Sequence, residues 1–158
     1  MRRDDLDLPD GAEDRARECL DAAIMTYQGE PVGTVAARDV KPEPVNYHHC
    51  FVRDFVVSAL VFLQDGRTDI VRNFLSLLVE LQSRETSLDC FDPGQGLMPA
   101  SFFVRGEGED EEIVADYGEH AIARVTPIDS AFWWLWLLRC YTRVTGDTTI
   151  FSPTSMPR

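Results

Sequence analysis

The stretch 128–145, IDSAFWWLWLLRCYTRVT, constrains the fold more than any other part of the chain. It contains all three tryptophans of the sequence, and its apolar residues fall on almost every side of a helix rather than on one stripe. Thr126-Pro127 starts that helix, threonine as the cap and proline in the first turn, where the missing N–H has no helical partner to lose. A helix apolar all round has to be buried between other elements. The rest of the sequence offers three more helices, too few to enclose a fourth. The chain therefore reads as part of something larger.

Residues 12–27, AEDRARECLDAAIMTY, set Ala16, Leu20, Ala23, Ile24 and Tyr27 on one stripe, with Asp10 available as a cap. From Cys50 to Gln64 the pattern is helical again, with Phe51, Phe55, Ala59, Phe62 and Leu63 on one side. Asp65-Gly66 ends that helix, glycine taking the left-handed conformation of a C-terminal cap. Another helix starts at Thr68 or Asp69 (DIVRNFLSLLVELQSRE), with Ile70, Phe74, Leu77, Leu78 and Leu81 apolar. So short a turn makes the two an αα-hairpin. Segment 29–46, with Gly29, Pro31, Gly33, Pro42 and Pro44, reads as an irregular connection. Residues 87–105 lack a 3.6-residue period and read as a long ordered loop with one short strand at 100–104. Residues 106–119, GEGEDEEIVADYGE, carry seven acids and no base and read as a solvated acidic loop. The fold class this predicts is all-α, with helices paired by short turns on one side and long loops on the other.

Charge excludes several functions. With 27 acidic residues against 15 basic and a formal net charge of -12, the chain has no basic face to neutralise nucleic-acid phosphates or to adhere to an anionic membrane. Its longest apolar runs, FVVSALVFL and FWWLWLL, fall short of the ~20 residues that span a bilayer. The N-terminus lacks the apolar core of a signal peptide, and its frequent acids argue against an organelle transit peptide. Cys19, Cys50, Cys90 and Cys140 lie far apart, with no CxxC pair and no local histidine, which fits neither a zinc site nor a disulfide scaffold. They read as reduced, mostly buried thiols in a cytosolic protein, so a cytoplasmic location is expected. His48 and His49 are neighbours that point about 100° apart on a helix, which disfavours a shared metal; a structural or substrate-contacting role for one of them remains.

Four polar clusters sit in apolar surroundings. Arg53-Asp54, in CFVRDFVVSAL, is either a capping pair at a helix N-terminus or a pair that meets a polar ligand. Asp89 and Asp92 suit a turn, whereas Gln95 between two glycines is less easily explained that way. Glu119, His120 and Arg124, in YGEHAIARV, are a surface helical turn or part of a site. Asp129 suits the dipole at the start of its helix, but Phe132, Trp133 and Trp134 follow it within five residues. A carboxyl against aromatic walls has its charged form destabilised, which keeps a proton available for general acid catalysis. Carboxylates, an arginine, a glutamine and aromatic rings together suit sugar recognition, and glycoside hydrolysis needs two carboxyls flanking the scissile bond.

At these residues the chain resembles the alkaline/neutral invertases, family 100 of the glycoside hydrolases. The strings NYHHCFVRDFVVSALVFL, DIVRNFLSLLVELQS, LDCFDPGQGLMPASFFV, DYGEHAIARVTPIDSAFWW and LLRCYTRVTGD carry the likeness, in family order, from Asn46 to Asp147. The resemblance implies a partial (α/α)6 barrel, or toroid, truncated after its first helical hairpins, over 12–147. Residues 1–11 are then a flexible N-terminus. It implies hydrolysis of the α1–β2 bond of sucrose to glucose and fructose, with inversion and without a cofactor, sucrose being the partner and a homo-oligomer being allowed. Asp129 would match the general acid. Arg53, Asp54, Gln95, Met98, Glu119, Arg124 and Trp134 would line the sugar pocket. Three features depart from the family pattern. His48-His49 replace the residues usual there. Complete members are much longer, and their second carboxylate, a distal Glu, has no counterpart here. TTIFSPTSMPR, the tail over 148–158, has neither helical period nor family likeness, as a frameshift or early stop would leave. A hydrolase domain and a non-catalytic remnant with at most weak sugar binding or protein association are the two functions to separate.

Overall fold

The computed structural model describes residues 9–37, 46–84, 94–118 and 128–151. In chain order these form α1 (Ala12–Ala22), β1 (Ile24–Tyr27), β2 (Glu30–Thr34), β3 (Cys50–Phe51), α2 (Val52–Gln64), α3 (Thr68–Glu80), β4 (Ser101–Arg105), β5 (Glu112–Asp116) and α4 (Ser130–Thr145). Single 3-10 turns occur at Gly108–Asp110 and Thr149–Phe151.

The all-α expectation, with its partial (α/α)6 barrel, is corrected by this architecture. Two antiparallel sheets join the four helices, one ordered β1-β2 and the other β3-β4-β5. The first lies where the stripe expected over 12–27 outruns the helix. α1 stops at Ala22, and Ile24–Tyr27 turn back through Gln28 and Gly29, whose φ angles are 51° and 81°. Positive φ at both positions of a two-residue loop suits the right-handed twist of a hairpin, and Tyr27 pairs with Glu30 across it. The second sheet hides inside the acid-rich stretch. Ile113, Val114 and Ala115 form the strand, and its acids lie at the ends, Glu112 pairing with Arg105 at 2.6 Å across the register. Charge density masked a short apolar core that alternation alone was too brief to reveal.

The helices meet around phenylalanines. Phe55 of α2 and Phe74 of α3 have ring centroids 4.2 Å apart, and Phe74 reaches Phe102 of β4 at 6.1 Å. The α2–α3 turn is closed by Arg67 N–H on Phe62 O (2.9 Å) and Gly66 N–H on Leu63 O (3.3 Å), with Gly66 at φ 76°. That is a Schellman cap, as Asp65-Gly66 predicts. β2 lies on α3, where Asn73 donates to Pro31 O at 3.1 Å. α1 buries no residue and is tied to the α2–α3 turn by the ion pairs Arg17–Asp65 and Arg67–Asp21.

Burial of α4 on all sides is also corrected. Its inner stripe, Leu137, Leu138 and Tyr141, packs against α2 and α3, but Phe132 is 69%, Leu135 56% and Trp136 43% exposed. Only one side of the helix is covered among the described residues. Its C-terminal end is fastened by Asp147, which accepts bonds from the Tyr141 hydroxyl (2.8 Å), the Thr149 N–H (2.8 Å) and the Thr149 hydroxyl (2.6 Å), and pairs with Arg72 at 3.4 Å.

Two predictions follow from this packing. A Cβ at Gly33 would come within 2.5 Å of Cys50 Sγ, where β2 meets β3. Gly33→Ala therefore overpacks the core and lowers stability by about 1–3 kcal/mol, read as a lower urea midpoint. The Asp147 fastening fixes a pH window. Thr149's hydroxyl and N–H, joined by the Tyr141 hydroxyl, hold the Asp147 carboxyl down at about 2, while burial and that carboxylate push Tyr141 up to about 12. Asp147 favours its charged form in the fold, so its contribution is complete above the ordinary carboxylate value of about 4 and is lost as pH falls through the folded value. Tyr141 favours its protonated form, so its contribution is complete below about 10 and is lost as pH rises through the folded value. Melting temperatures of Asp147→Asn should vary less than wild type over both limbs.

Candidate functional site

β3 runs directly into α2, so the first turn of α2 carries Arg53 and Asp54. Asp129 is the N-cap of α4, with helical backbone angles (φ -76°, ψ -19°) and no side-chain bond to its own helix. A capping aspartate ordinarily accepts a bond from an N–H of its own first turn. Here the carboxylate turns across to α2 instead, and Arg53 Nη1 donates to Asp129 Oδ2 at 3.1 Å. Arg53 Nε lies 3.9 Å from Asp54 Oδ1. One guanidinium thus stands between two carboxylates where the N-terminal ends of α2 and α4 converge. All three side chains are open to solvent, so the pairing adds little to stability. It presents a planar donor fork and two acceptors to a solute, a set suited to adjacent hydroxyls.

The aromatic surroundings differ from the expected wall. Phe132 faces solvent, and Trp134 is half-buried with its indole N–H donated to Leu75 O at 2.9 Å, toward α3. Arg53 is the neighbour that the structure gives Asp129. Gln95 is exposed between Gly94 and Gly96, both at positive φ, on a segment pinned to the end of α3 by Ser83 N–H on Leu97 O (2.9 Å) and Gly96 N–H on Ser83 O (2.8 Å). Met98 is buried. Among the described residues, no hydrogen bond or ion pair links Gln95, Met98 or Trp134 to the Arg53 cluster. Glu119 and Arg124 lie outside the described residues, as do Asp89, Asp92 and His120. Among the described residues no group of three His, Cys, Asp or Glu is placed to hold a metal ion, and no helix is long and apolar enough to cross a membrane. Cys50 is a buried thiol pushed up to about 12 by that burial, while Cys19 is exposed.

One constellation escaped sequence reasoning. His49, Ser101 and Asp116 are all buried, with His49 Nδ1 2.9 Å from Ser101 Oγ and 4.0 Å from Asp116 Oδ2. Asp116 Oδ1 accepts the Gly118 N–H at 2.8 Å, and the His49 ring stacks on Phe103 with centroids 4.6 Å apart. Ser101 and Asp116 are register partners on β4 and β5. Pairing those strands in the sequence would have brought the two polar side chains to one face. Serine and carboxylate both approach the same ring nitrogen, and no solute reaches the serine, so this is a structural knot rather than a nucleophile and its base.

The Arg53–Asp129 geometry falls within residues 16–157, which match the family model described as alkaline and neutral invertase. The chain belongs to the alkaline and neutral invertase family. It is 51% identical over 144 residues to probable alkaline/neutral invertase A, chloroplastic, of Arabidopsis thaliana, covering 87% of this chain and 23% of the relative. It is 51% identical over 138 residues to probable alkaline/neutral invertase D of the same plant, covering 85% and 26%. The likeness to neutral/alkaline invertase 3, chloroplastic, of Oryza sativa subsp. japonica is 48% over 146 residues, covering 87% and 24%. The chain spans about a quarter of the length of these curated relatives and corresponds to an N-terminal portion of the family. The cytoplasmic expectation is overturned, because invertases named chloroplastic and mitochondrial match this stretch. Acid content and cysteine spacing within the shared stretch therefore carry no compartment signal.

In this invertase-family chain the buried knot secures the strand that feeds Arg53 into α2. Asp116→Ala strips the Gly118 N–H of its buried acceptor and removes the carboxylate that lies beside His49, and should cost about 1–3 kcal/mol, measured from denaturant unfolding.

Proposed function

We propose that this chain supplies the acid half of a sucrose-hydrolysing site of the β-fructofuranosidase type. The observation that carries the reading is the Arg53–Asp129 pair, which joins the start of α4 to the start of α2 at a solvent-facing position. Membership of the invertase family supports the substrate. In this reading Asp129 delivers a proton to the bridging oxygen of sucrose as the glycosidic bond breaks. A water attacks the opposite face of the sugar, activated by a second carboxylate about 6.5–9.5 Å away, as inversion requires. That base is not among the residues assigned here, and Asp129 supplies the leaving group's proton alone. Arg53 and Asp54 bind sugar hydroxyls, with Gln95, Met98, Glu119, Arg124 and Trp134 as further pocket residues. No cofactor takes part.

A second reading, a non-catalytic piece that binds sugar weakly or packs on another protein, is favoured by the exposed Phe132, Leu135 and Trp136. Glucose release from sucrose by purified chain separates the two. The catalytic reading expects Asp129→Asn to lower any turnover at least about 100-fold with an unchanged circular-dichroism melt; turnover surviving in that variant removes Asp129 as the acid. Sucrose binding detected by saturation-transfer NMR, without turnover and lost in Arg53→Ala, supports the second reading.

A further inference from the structure

The sheet β3-β4-β5 carries a polar row where an apolar one would serve the core. Phe51 pairs with Ser101 and Ser101 with Asp116, so the three side chains lie in one row across the strands. His49, two residues before Phe51, shares that face; its Nδ1 lies 2.9 Å from Ser101 Oγ and 4.0 Å from Asp116 Oδ2. All three polar groups are buried. Apolar side chains of the same shape could replace such a cluster at little cost in stability, so what the cluster supplies is a single arrangement of the strands.

That arrangement ends at Arg53. Val52 is the first residue of α2, and its N–H is one of the donors that a helix start leaves without an intrahelical acceptor. Ala100 O takes it at 2.9 Å, and the Ala100 N–H in turn donates to Asp116 O at 2.8 Å. The β4–β5 pair therefore fixes the point where α2 begins, and Arg53 is the next residue along. The Ala36 N–H donates to His49 O at 3.2 Å, so His49 is held by its backbone as well as by its ring. Slipping β3 against β4 by one residue would carry the start of α2 about 3.3 Å along the strand, farther than the 3.1 Å between Arg53 Nη1 and Asp129 Oδ2.

We propose that His49 is a positioning residue for the sugar site: by gripping Ser101 across the sheet it fixes where α2 begins, and with it the guanidinium of Arg53. Its effect on sugar affinity rests on the sucrose reading given above, whereas its effect on Arg53 does not.

Two readouts on the full chain test this, sucrose titration by saturation-transfer NMR and the backbone amide resonances of Arg53 and Asp54. His49→Ala and Ser101→Ala should each shift both resonances and weaken sucrose binding at least about tenfold, as for one misplaced charged hydrogen-bonding group. Ser101→Ala removes a hydroxyl and almost no packing volume, so it decides the matter where His49→Ala fails to fold. His49→Asn sets a side-chain amide where Nδ1 stands and should restore affinity to within about threefold of wild type. Ile70→Val, a core change beside the α2–α3 turn at the far end of α2, should lower the urea midpoint and leave affinity and both resonances unchanged. Unmoved resonances and affinity in Ser101→Ala overturn the proposal, as does an equal response in Ile70→Val. A wild-type chain that binds no sucrose, while Ser101→Ala still shifts the Arg53 resonance, removes the sucrose reading and leaves the positioning of Arg53 standing.

Discussion

Everything functional in this chain depends on how α4 settles its two apolar sides. Leu137, Leu138 and Tyr141 go into the groove between α2 and α3, beside Phe55 and Phe74, and this choice of inner side fixes the rotation of the helix. With the rotation fixed, the N-cap at Asp129 arrives next to the first turn of α2, and Trp134 is aimed at Leu75 O. The Asp147 fastening at the other end holds the same rotation through Tyr141 and Arg72. An exposed ion pair such as Arg53–Asp129 has too little energy to position two helices; the buried stripe does that, and the ion pair reports where the helices were put.

α2 is fixed from its other end. The residues that precede it pass through His49 and Cys50, both buried, and His49 is held by Ser101 and Asp116 on the β4–β5 pair. A buried polar cluster of this kind favours one register, because slipping β4 by a residue would turn Ser101 away from the histidine and leave buried polar groups without partners. Arg53 thus inherits its place from a sheet, and Asp129 inherits its place from a helix packing against that sheet's neighbours.

How far this was legible in the sequence follows from the same division. The α2–α3 hairpin was readable because a full apolar stripe ran on each side of Asp65-Gly66 and the cap chemistry agreed with it. Asp129 and Arg53 were readable as candidates from their motifs, and the family was readable from the same strings. The sheets were not. β1 has four residues, two of which also fit the stripe of α1, and β5 is an apolar triplet between acids. Strands this short are decided by their partners, and partner choice is a tertiary property that local periodicity does not contain. The burial of α4 misled for a related reason: composition measures how much apolar surface a helix has, whereas coverage depends on what the rest of the fold brings to it.

The outer face of α4 then carries two properties at once, an apolar stripe and, at its end, the carboxylate of Asp129. Whatever covers the stripe also removes water from the nearby charges. Left as they stand, Asp54 and Asp129 against Arg53 alone are two negative charges to one positive, an arrangement that desolvation penalises. A covering surface has to bring a positive charge or several hydrogen-bond donors to that end. A sugar brings hydroxyl donors to that end and leaves the stripe largely uncovered. Sugar binding and coverage of the stripe therefore place separate demands on one helix, the first met at Asp129 and the second at Phe132, Leu135 and Trp136.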